Sequence, residues 1–308
     1  MDIETFRSTY SSMTVAISCL CGSRQSLSIK PRERFNIPIT FAICLRCGHI
    51  YAKNILNAKA LDDFYSSPLY RSLYGGLSVQ EHVDKLNVPE KSETALWRIA
   101  KPFLPEKNGT VLEWGSSGGW NLLPFRDFGH SVLGLDVTVP YLEAGRNTYG
   151  LDLELIHENT FEELKQRKFD VIILNHVLEH LAEPQELLRK LALSSKPNTV
   201  LLIGLPTIEA IKDYGFRNYF TVAHIHYFSK LSFSSVLNRT GFSLIETHRT
   251  HGGHTFVAKL SNGSKKSSDF RGVLYALLIV AVNYTNYKTR RIARILFKLT
   301  GIYGLIRK

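Results

Sequence analysis

The chain has 308 residues, of which 44% are hydrophobic, enough for one large domain and an accessory module. Its longest apolar run, Val273 to Val282, is about half of what a bilayer-spanning helix needs, and no charged segment followed by an apolar stretch opens the sequence. Composition therefore excludes an integral membrane protein and predicts a soluble globular protein, which we expect in the cytoplasm. Of the net charge of +11, residues 261–308 carry +9, so any polyanionic partner is expected to meet this tail.

Residues 1–57 contain all four cysteines, in the sequences CLCG and CLRCG. Two close pairs about twenty residues apart are typical of a tetrahedral zinc site. The second pair has the standard spacing and the first is one residue short; the alternative is four small buried residues. A disulfide is less expected in a reducing compartment. We predict a small zinc-ribbon-like module with a structural Zn²⁺, whose ligands are Cys19, Cys21, Cys44 and Cys47.

Residues 58–80 form a predicted linker between this module and the rest of the chain. Within it, the tyrosine-rich segment 60–76 favours a helix that ends in a loop. Residues 81–101 also read as helical, although Pro89 interrupts the pattern before Pro102 ends it.

Residues 81–262 alternate between apolar strand-like runs and amphipathic segments, which is typical of a parallel sheet covered by helices. The last two strands flank a Gly-Gly turn and form a hairpin. This order predicts an α/β fold with a seven-stranded Rossmann-like sheet whose last strand is antiparallel. The predicted strands are 110–113, 131–136, 151–156, 169–174, 199–205, 242–247 and 254–260. The predicted helices are 118–128, 140–149, 183–193 and 229–239.

The loop GSSGG, residues 115–119, follows the first of these strands, where ligands of such sheets bind. A dinucleotide site would require glycine at Ser117 and Trp120, and the glycine-lysine pair of a phosphate loop is missing as well. Asp136 ends the second strand and is suited to accept hydrogen bonds from two ribose hydroxyls. A ligand with a free ribose and no phosphate, such as S-adenosylmethionine, satisfies both conditions.

Five segments in this order carry a family resemblance: VLEWGSSGGW with VLGLD, FDVIILNHVLEHLAEPQELLRKL, KPNTVLLIGLPT, HIHYFSKLSFSSVLNRTGF and the closing hairpin. Together they resemble a class I S-adenosylmethionine-dependent methyltransferase over about residues 80–260. The cysteine module resembles the N-terminal zinc-binding segment of sugar methyltransferases that are encoded with glycan-biosynthesis enzymes.

The resemblance implies which residues contact the cofactor. Its methionine end is expected between the acid and the glycines of the first loop, its ribose at Asp136, and its adenine beside Val137 and the HENT segment. Ser117 departs from the family's glycine; if its φ is positive, the side chain costs about 1 kcal/mol or more, whereas the hydroxyl can bond the cofactor. The implied cofactor-binding residues are Glu113, Gly115, Ser117, Gly118, Gly119, Asp136, Val137, Asn159, Thr160 and Asn175.

Candidate bases lie in two segments that follow the fourth and fifth strands. In HVLEH, His176 and His180 are four residues apart, which predicts one helical face; with Glu179 they make either a base or metal site or a structural turn. In AHIHYF, the histidines and Tyr227 either contact the substrate or pack beneath the loop. The predicted catalytic residues are His176, His226 and Tyr227, with His224 as a further candidate.

Residues 263–308 form a predicted basic helical tail. Between residues 292 and 306 apolar residues recur at steps of three and four, with Arg and Lys on other faces. Such a helix either lies on an anionic membrane surface or packs on its own domain with its charges in water.

The predicted reaction is direct displacement of the methyl group by a saccharide or lipid-linked glycan intermediate. An RNA methyltransferase is the second reading, but aromatic residues are not interleaved with Lys and Arg in the cysteine module, which disfavours nucleic acid. The third reading is a zinc-stabilised scaffold without activity, which Ser117 favours.

Overall fold

A computed structural model describes residues 2–29, 33–67, 69–70, 91–214, 219–261 and 270–284, together with the single residues 73, 79 and 81. The first part of the predicted helix 81–101, the second half of the predicted linker and the amphipathic stretch 292–306 lie outside the described residues. Within the described part of the chain, no helix is long and apolar enough to cross a membrane.

A seven-stranded sheet forms the centre of the molecule, as the sequence predicts. Its strands are β6 (Thr110–Trp114), β7 (Ser131–Asp136), β8 (Leu153–Leu155), β9 (Phe169–Asn175), β10 (Ser195–Leu205), β12 (Phe242–Thr250) and β13 (Gly253–Leu260). The strand order is β12-β13-β10-β9-β6-β7-β8, and the five strands from β6 to β10 are parallel. β13 runs antiparallel to β10, and β12 pairs antiparallel with β13.

Helices cover both faces of this sheet. Alternate residues of one strand enter different apolar clusters: Ile172 and Leu174 of β9 face one cluster, whereas Val171 and Ile173 face the other. The central strands are therefore buried on both sides, which explains their continuous apolar sequences. The α-helices are α1 (Ile3–Thr9), α2 (Ala58–Ser66), α3 (Ala95–Ala100), α4 (Leu123–Asp127), α5 (Val139–Tyr149), α6 (Thr160–Gln166), α7 (Pro184–Leu193), α8 (Ile211–Tyr214), α9 (Lys230–Arg239) and α10 (Phe270–Tyr284).

The predicted helix 118–128 is wrong in its first half. Gly119 has a left-handed φ of 78°, a 3₁₀ turn follows over Trp120–Leu122, and α4 begins only at Leu123 with Pro124 in its first turn. Loop and turn thus occupy the residues that a longer helix would have used, which keeps the backbone of the glycine-rich loop open at the end of β6.

A second sheet joins the cysteine module to a distant part of the chain. The strands of the module are β1 (Thr14–Ala16), β2 (Ser26–Ile29), β3 (Phe41–Cys44), β4 (Ile50–Ala52) and β5 (Asn54–Leu56), of which β1 and β5 form a separate pair. The second sheet has the order β11-β4-β3-β2, with β11 formed by His226–Tyr227. β11 pairs antiparallel with β4, so the segment predicted to reach the substrate is also a strand of the module.

The apolar helix α10 packs on the cysteine module. Ala276 and Val280 belong to the same buried cluster as Phe41 and Tyr227. At the start of the helix, Gly272 meets Gly48 of the second cysteine knuckle so closely that a Cβ on Gly48 would lie 2.0 Å from the carbonyl oxygen of Gly272. The module, β11 and α10 therefore share one core.

We expect Gly48→Ala to break this contact and to lower the free energy of unfolding. The new methyl group has no room against the α10 backbone, and φ is +71°, so the loss should reach about 2–4 kcal/mol. Gly22→Ala is the matched control, since its φ is +77° but nothing lies within 4 Å of the added Cβ; it should lose about 1–2 kcal/mol. Denaturant unfolding measures both, and equal losses would contradict the packing of α10 on the knuckle.

Candidate functional site

Three polar side chains lie at the carboxyl ends of adjacent parallel strands. Glu113 is the penultimate residue of β6, Asp136 ends β7 and Asn175 ends β9. The register pairs Trp114 with Leu135 across β6 and β7, so Glu113 and Asp136 reach the same edge of the sheet. The predicted acids are thus brought together at the position where such sheets bind ligands.

The loop after β6 is tied to Asp136 by its backbone. Ser117 has a left-handed φ of 49°, and in this conformation its N–H donates to Oδ2 of Asp136 at 2.8 Å. Oδ1 of the same carboxylate accepts from the N–H of Thr138 at 2.8 Å. Each oxygen keeps a further lone pair, so Asp136 can still accept hydrogen bonds from a diol.

Close approach of backbone to backbone fixes the other side of this loop. A Cβ on Gly145 of α5 would lie 2.3 Å from the carbonyl oxygen of Gly118. The helix after β7 therefore packs directly on the loop after β6 at a position that only glycine permits.

Glu113 is buried and only half satisfied. Nδ2 of Asn121 donates to its Oε1 at 2.7 Å, but Oε2 has no hydrogen-bond partner among the described residues. Burial raises the pKa of Glu113 to about 8, with the charge of Asp136 adding to this and the bond from Asn121 opposing it. A buried carboxylate with a free oxygen fits a cationic donor, such as the amino group of S-adenosylmethionine.

The remaining predicted cofactor residues differ in how accessible they are. Val137 exposes 71% of its surface beside Asp136, so its side chain is open to contact with a flat aromatic ring. Asn159 is exposed, whereas Thr160 is buried and its hydroxyl accepts from the N–H of His157. Asn175 is half-buried, and a Cβ on Gly204 would meet its Oδ1 at 2.2 Å, so this glycine makes room for the amide.

His176 and Glu179 form a pair beside these strand ends. Nδ1 of His176 lies 3.2 Å from Oε1 of Glu179, and the His176 side chain is 50% exposed while that of Glu179 is fully buried. Burial acts to lower the pKa of His176, but the hydrogen bond and charge of Glu179 outweigh it and raise that pKa above 6.5. Burial alone would raise the pKa of Glu179, yet the bond with His176 and the neighbouring imidazoles lower it to about 2. The carboxylate is thus ionised and orients the imidazole.

The helical face predicted for His176 and His180 is wrong. His176 has a left-handed φ of 57°, and a 3₁₀ turn follows over Leu178–His180. The two rings nevertheless converge, because Glu179 lies between them: Nε2 of His180 is 3.9 Å from Oε1 of Glu179. His224 packs edge-on against His180, with ring centroids 4.8 Å apart.

Sequence reasoning missed Tyr65, which reaches this cluster from α2. Its hydroxyl lies 3.1 Å from Nδ1 of His180. The sequence predicts a linker here, and its richness in tyrosine, unusual for a solvated linker, is the signal that indicates a packed residue.

His226 and Tyr227, both predicted to be catalytic, are only 1% exposed. Nδ1 of His226 lies 3.0 Å from Nε2 of His49, and the Tyr227 hydroxyl both receives a bond from the N–H of Thr221 and donates to its carbonyl oxygen. Burial lowers the pKa of His226 to about 4, so its ring is neutral. Both side chains are used to hold β11 against the cysteine module.

The four cysteine sulfurs converge as predicted. Cys19 and Cys47 are 3.5 Å apart at sulfur, Cys21 and Cys44 are 3.6 Å apart, and all four sulfurs lie within 4.8 Å of one another. Tetrahedral zinc with Zn–S bonds near 2.3 Å separates its sulfurs by about 3.8 Å. The four thiols therefore fit a zinc ion, and the short first pair does not prevent this geometry.

The model of a family described as "Methyltransferase domain" matches residues 86–247, just over half of the chain. No curated protein matches the sequence.

Solved structures with a similar fold include three methyltransferases. One is an O-methyltransferase from neocarzinostatin biosynthesis, in complex with S-adenosylmethionine and 2-hydroxy-5-methyl naphthoic acid, with 15% identity over 65% of this chain and 60% of that chain and a TM-score of 0.47. Another is magnesium protoporphyrin IX methyltransferase of Synechocystis PCC 6803 with bound SAH. It has 20% identity over 66% of this chain and 99% of that chain, and a TM-score of 0.44. An S-adenosylmethionine-dependent methyltransferase of Mesorhizobium loti has 15% identity over 55% of this chain and 99% of that chain, and a TM-score of 0.44. The match thus spans 60% of the length of the first structure.

Ser117→Gly is expected to stabilise the protein by about 0.5–1 kcal/mol. Glycine removes the cost of a left-handed side chain, about 1–2 kcal/mol, and gives back about 0.4–1 kcal/mol through the greater freedom of the unfolded chain. Ser117→Ala is the control, because it removes the hydroxyl and keeps the strained φ. Thermal unfolding measures both variants; a stabilised alanine variant with an unchanged glycine variant would contradict the assignment of strain.

Proposed function

Because the chain belongs to the family of the methyltransferase domain, we propose that it transfers a methyl group from S-adenosylmethionine to a hydroxyl of a saccharide or lipid-linked glycan intermediate. The observation that carries this proposal is the meeting of Glu113, Asp136 and the backbone of Ser117 at one edge of the sheet. That edge offers acceptors for an ammonium group and for a diol.

Residues of the first two strand ends would hold the cofactor. Glu113 pairs with the amino group through its free oxygen, Asp136 accepts from the ribose hydroxyls, and Val137 covers one face of the adenine. Gly115, Gly118 and Gly119 keep the loop backbone near the methionine end, and Asn159, Thr160 and Asn175 complete the predicted contacts. S-adenosylmethionine, when bound, supplies an electrophilic methyl group on sulfur that a nucleophile takes by direct displacement.

His176 is the residue that we propose as the general base. Its Nδ1–H donates to Glu179, which leaves Nε2 free to accept the proton of the attacking hydroxyl. The half-exposed ring can meet an acceptor from solvent, while the buried carboxylate holds its tautomer and stabilises the imidazolium that results. We reassign His226 and Tyr227 to positioning, because their polar atoms are engaged within the protein.

The saccharide acceptor is proposed from the cysteine module, which resembles that of sugar methyltransferases and which we propose holds Zn²⁺. Contact of the basic tail with an anionic membrane surface stays a prediction, since residues 285–308 lie outside the described part of the chain. A cytoplasmic location is proposed with it.

Methyl transfer is tested by incubating the protein with methyl-labelled S-adenosylmethionine and a panel of free and lipid-linked saccharides, with RNA as the competing substrate. We expect one methyl group of added mass on a saccharide. Labelling of RNA alone would replace the proposal with an RNA methyltransferase. If calorimetry detects no binding of S-adenosylmethionine, the hypothesis of an inactive scaffold would replace it.

Asp136→Asn should weaken cofactor binding about 10- to 100-fold, because it removes the charge from hydrogen bonds worth about 1.5–3 kcal/mol. Asp152→Asn is the matched control, since Asp152 is exposed and precedes β8. Equal affinities of the two variants would contradict the ribose assignment.

The pH dependence of kcat/KM tests the base. A reaction that needs neutral His176 gains rate as pH rises through a pKa that Glu179 holds above 6.5. Glu179→Gln should move this limb to lower pH, and His176→Asn should abolish it with a rate loss of about 100-fold or more. Asparagine suits this test because it tolerates the left-handed φ of residue 176. An unchanged limb in the asparagine variant would overturn the assignment.

A further inference from the structure

A second group of potential metal ligands lies beside His176. Glu179, His180 and His224 each offer one ligand atom, and these atoms lie within 4.8 Å of one another. The group is separate from the four cysteines and comes from two loops, the turn after β9 and the segment that leads into β11. Two imidazoles and a carboxylate are ligands that divalent first-row transition metals prefer.

Unsatisfied buried atoms point to a missing partner in this group. Oε2 of Glu179 and Nδ1 of His224 have no hydrogen-bond partner among the described residues, and the Glu179 side chain is fully buried. Each such atom costs about 1–3 kcal/mol when it is left unpaired. A cation within reach of these atoms would give both a partner.

The hydrogen bonds of His180 leave its other nitrogen free for a metal. Nδ1 lies 2.9 Å from the carbonyl oxygen of Ala223, which can only accept, so Nδ1 carries the proton. In the neutral ring Nε2 then presents a lone pair toward the Glu179 carboxylate, 3.9 Å away. Two ligand atoms on one tetrahedral metal ion, with bonds near 2.1 Å, lie roughly 3.4 Å apart. The separation between Nε2 of His180 and the Glu179 oxygen is close to that distance. A backbone carbonyl behind a histidine is also the usual outer support of a metal ligand.

We infer that Glu179, His180 and His224 bind a divalent first-row transition metal ion next to the proposed base. His180 is 24% exposed and His176 is 50% exposed, so the cluster opens to solvent on the side of His176. Three protein ligands leave at least one coordination position for an oxygen ligand on that side. If the proposed methyl transfer holds, that position would take the acceptor oxygen; the binding of the metal itself does not rest on the proposed function.

Co²⁺ is the probe, added to the full-length protein without cofactor or acceptor and with zinc retained at the cysteines. We expect one Co²⁺ per chain with the visible absorption of nitrogen and oxygen ligands. Glu179→Gln and His224→Asn should weaken this binding about 100-fold or more, beyond the 10- to 100-fold typical of lost outer contacts.

A matched histidine variant separates this site from others. His248→Asn removes a partly exposed histidine that pairs with Glu246, and it should bind Co²⁺ as the wild type does. Circular dichroism and S-adenosylhomocysteine titration check that the variants are folded. Absence of bound Co²⁺ in the wild type, equal binding by all variants, or a thiolate charge-transfer band on the bound ion would each overturn the site. Any of these results leaves the methyl-transfer test unaffected.

Discussion

Glu113 and Asp136 reach the same edge of the sheet because β6 and β7 are parallel neighbours in fixed register. Two acids brought so close must differ in environment, and they do. Both are buried, but Asp136 accepts a backbone N–H group on each oxygen, whereas Glu113 has one oxygen without a partner among the described residues. The loop that carries Ser117 follows the strand of Glu113 and bonds to Asp136. The left-handed φ of Ser117 aims its N–H at Asp136 and so sets the shape of the proposed cofactor site.

A second buried carboxylate, Glu179, organises the proposed acceptor side. It is bonded to His176 and lies beside His180 and His224, and His224 lies on the segment that leads into β11. Because β11 is also the edge strand of the cysteine module, the module supports the segment that carries His224. Helix α10 closes the same core from the other end of the chain. The cysteine module therefore shares a core with the segment that leads to the proposed acceptor site, and we expect its loss to disturb that site.

Local sequence patterns predicted the central sheet well and the contacts between modules poorly. The apolar runs of β9 and β10 and the acid at the end of β7 are visible without a structure, because burial on both faces and a fixed position after a strand leave a pattern in neighbouring residues. The pairing of His49 with His226 spans 177 positions and leaves no such pattern. The same holds for Gly48 against Gly272 and for Tyr65 beside His180. His226 and Tyr227 follow the fifth strand as substrate-facing residues would, but their pairing with β4 turns them into the core.

Proton release on cofactor binding is the most direct measure of the proposed site. Free Glu113, with a pKa of about 8, is mostly protonated at pH 7. Pairing with a cationic amino group favours the ionised form, so binding of S-adenosylmethionine should release close to one proton at pH 7. Calorimetry in buffers of different ionisation enthalpy counts these protons, with Glu113→Gln as the variant that should release none. Tight binding by the wild type with a heat that is the same in every buffer would contradict the assignment of Glu113 to the cofactor.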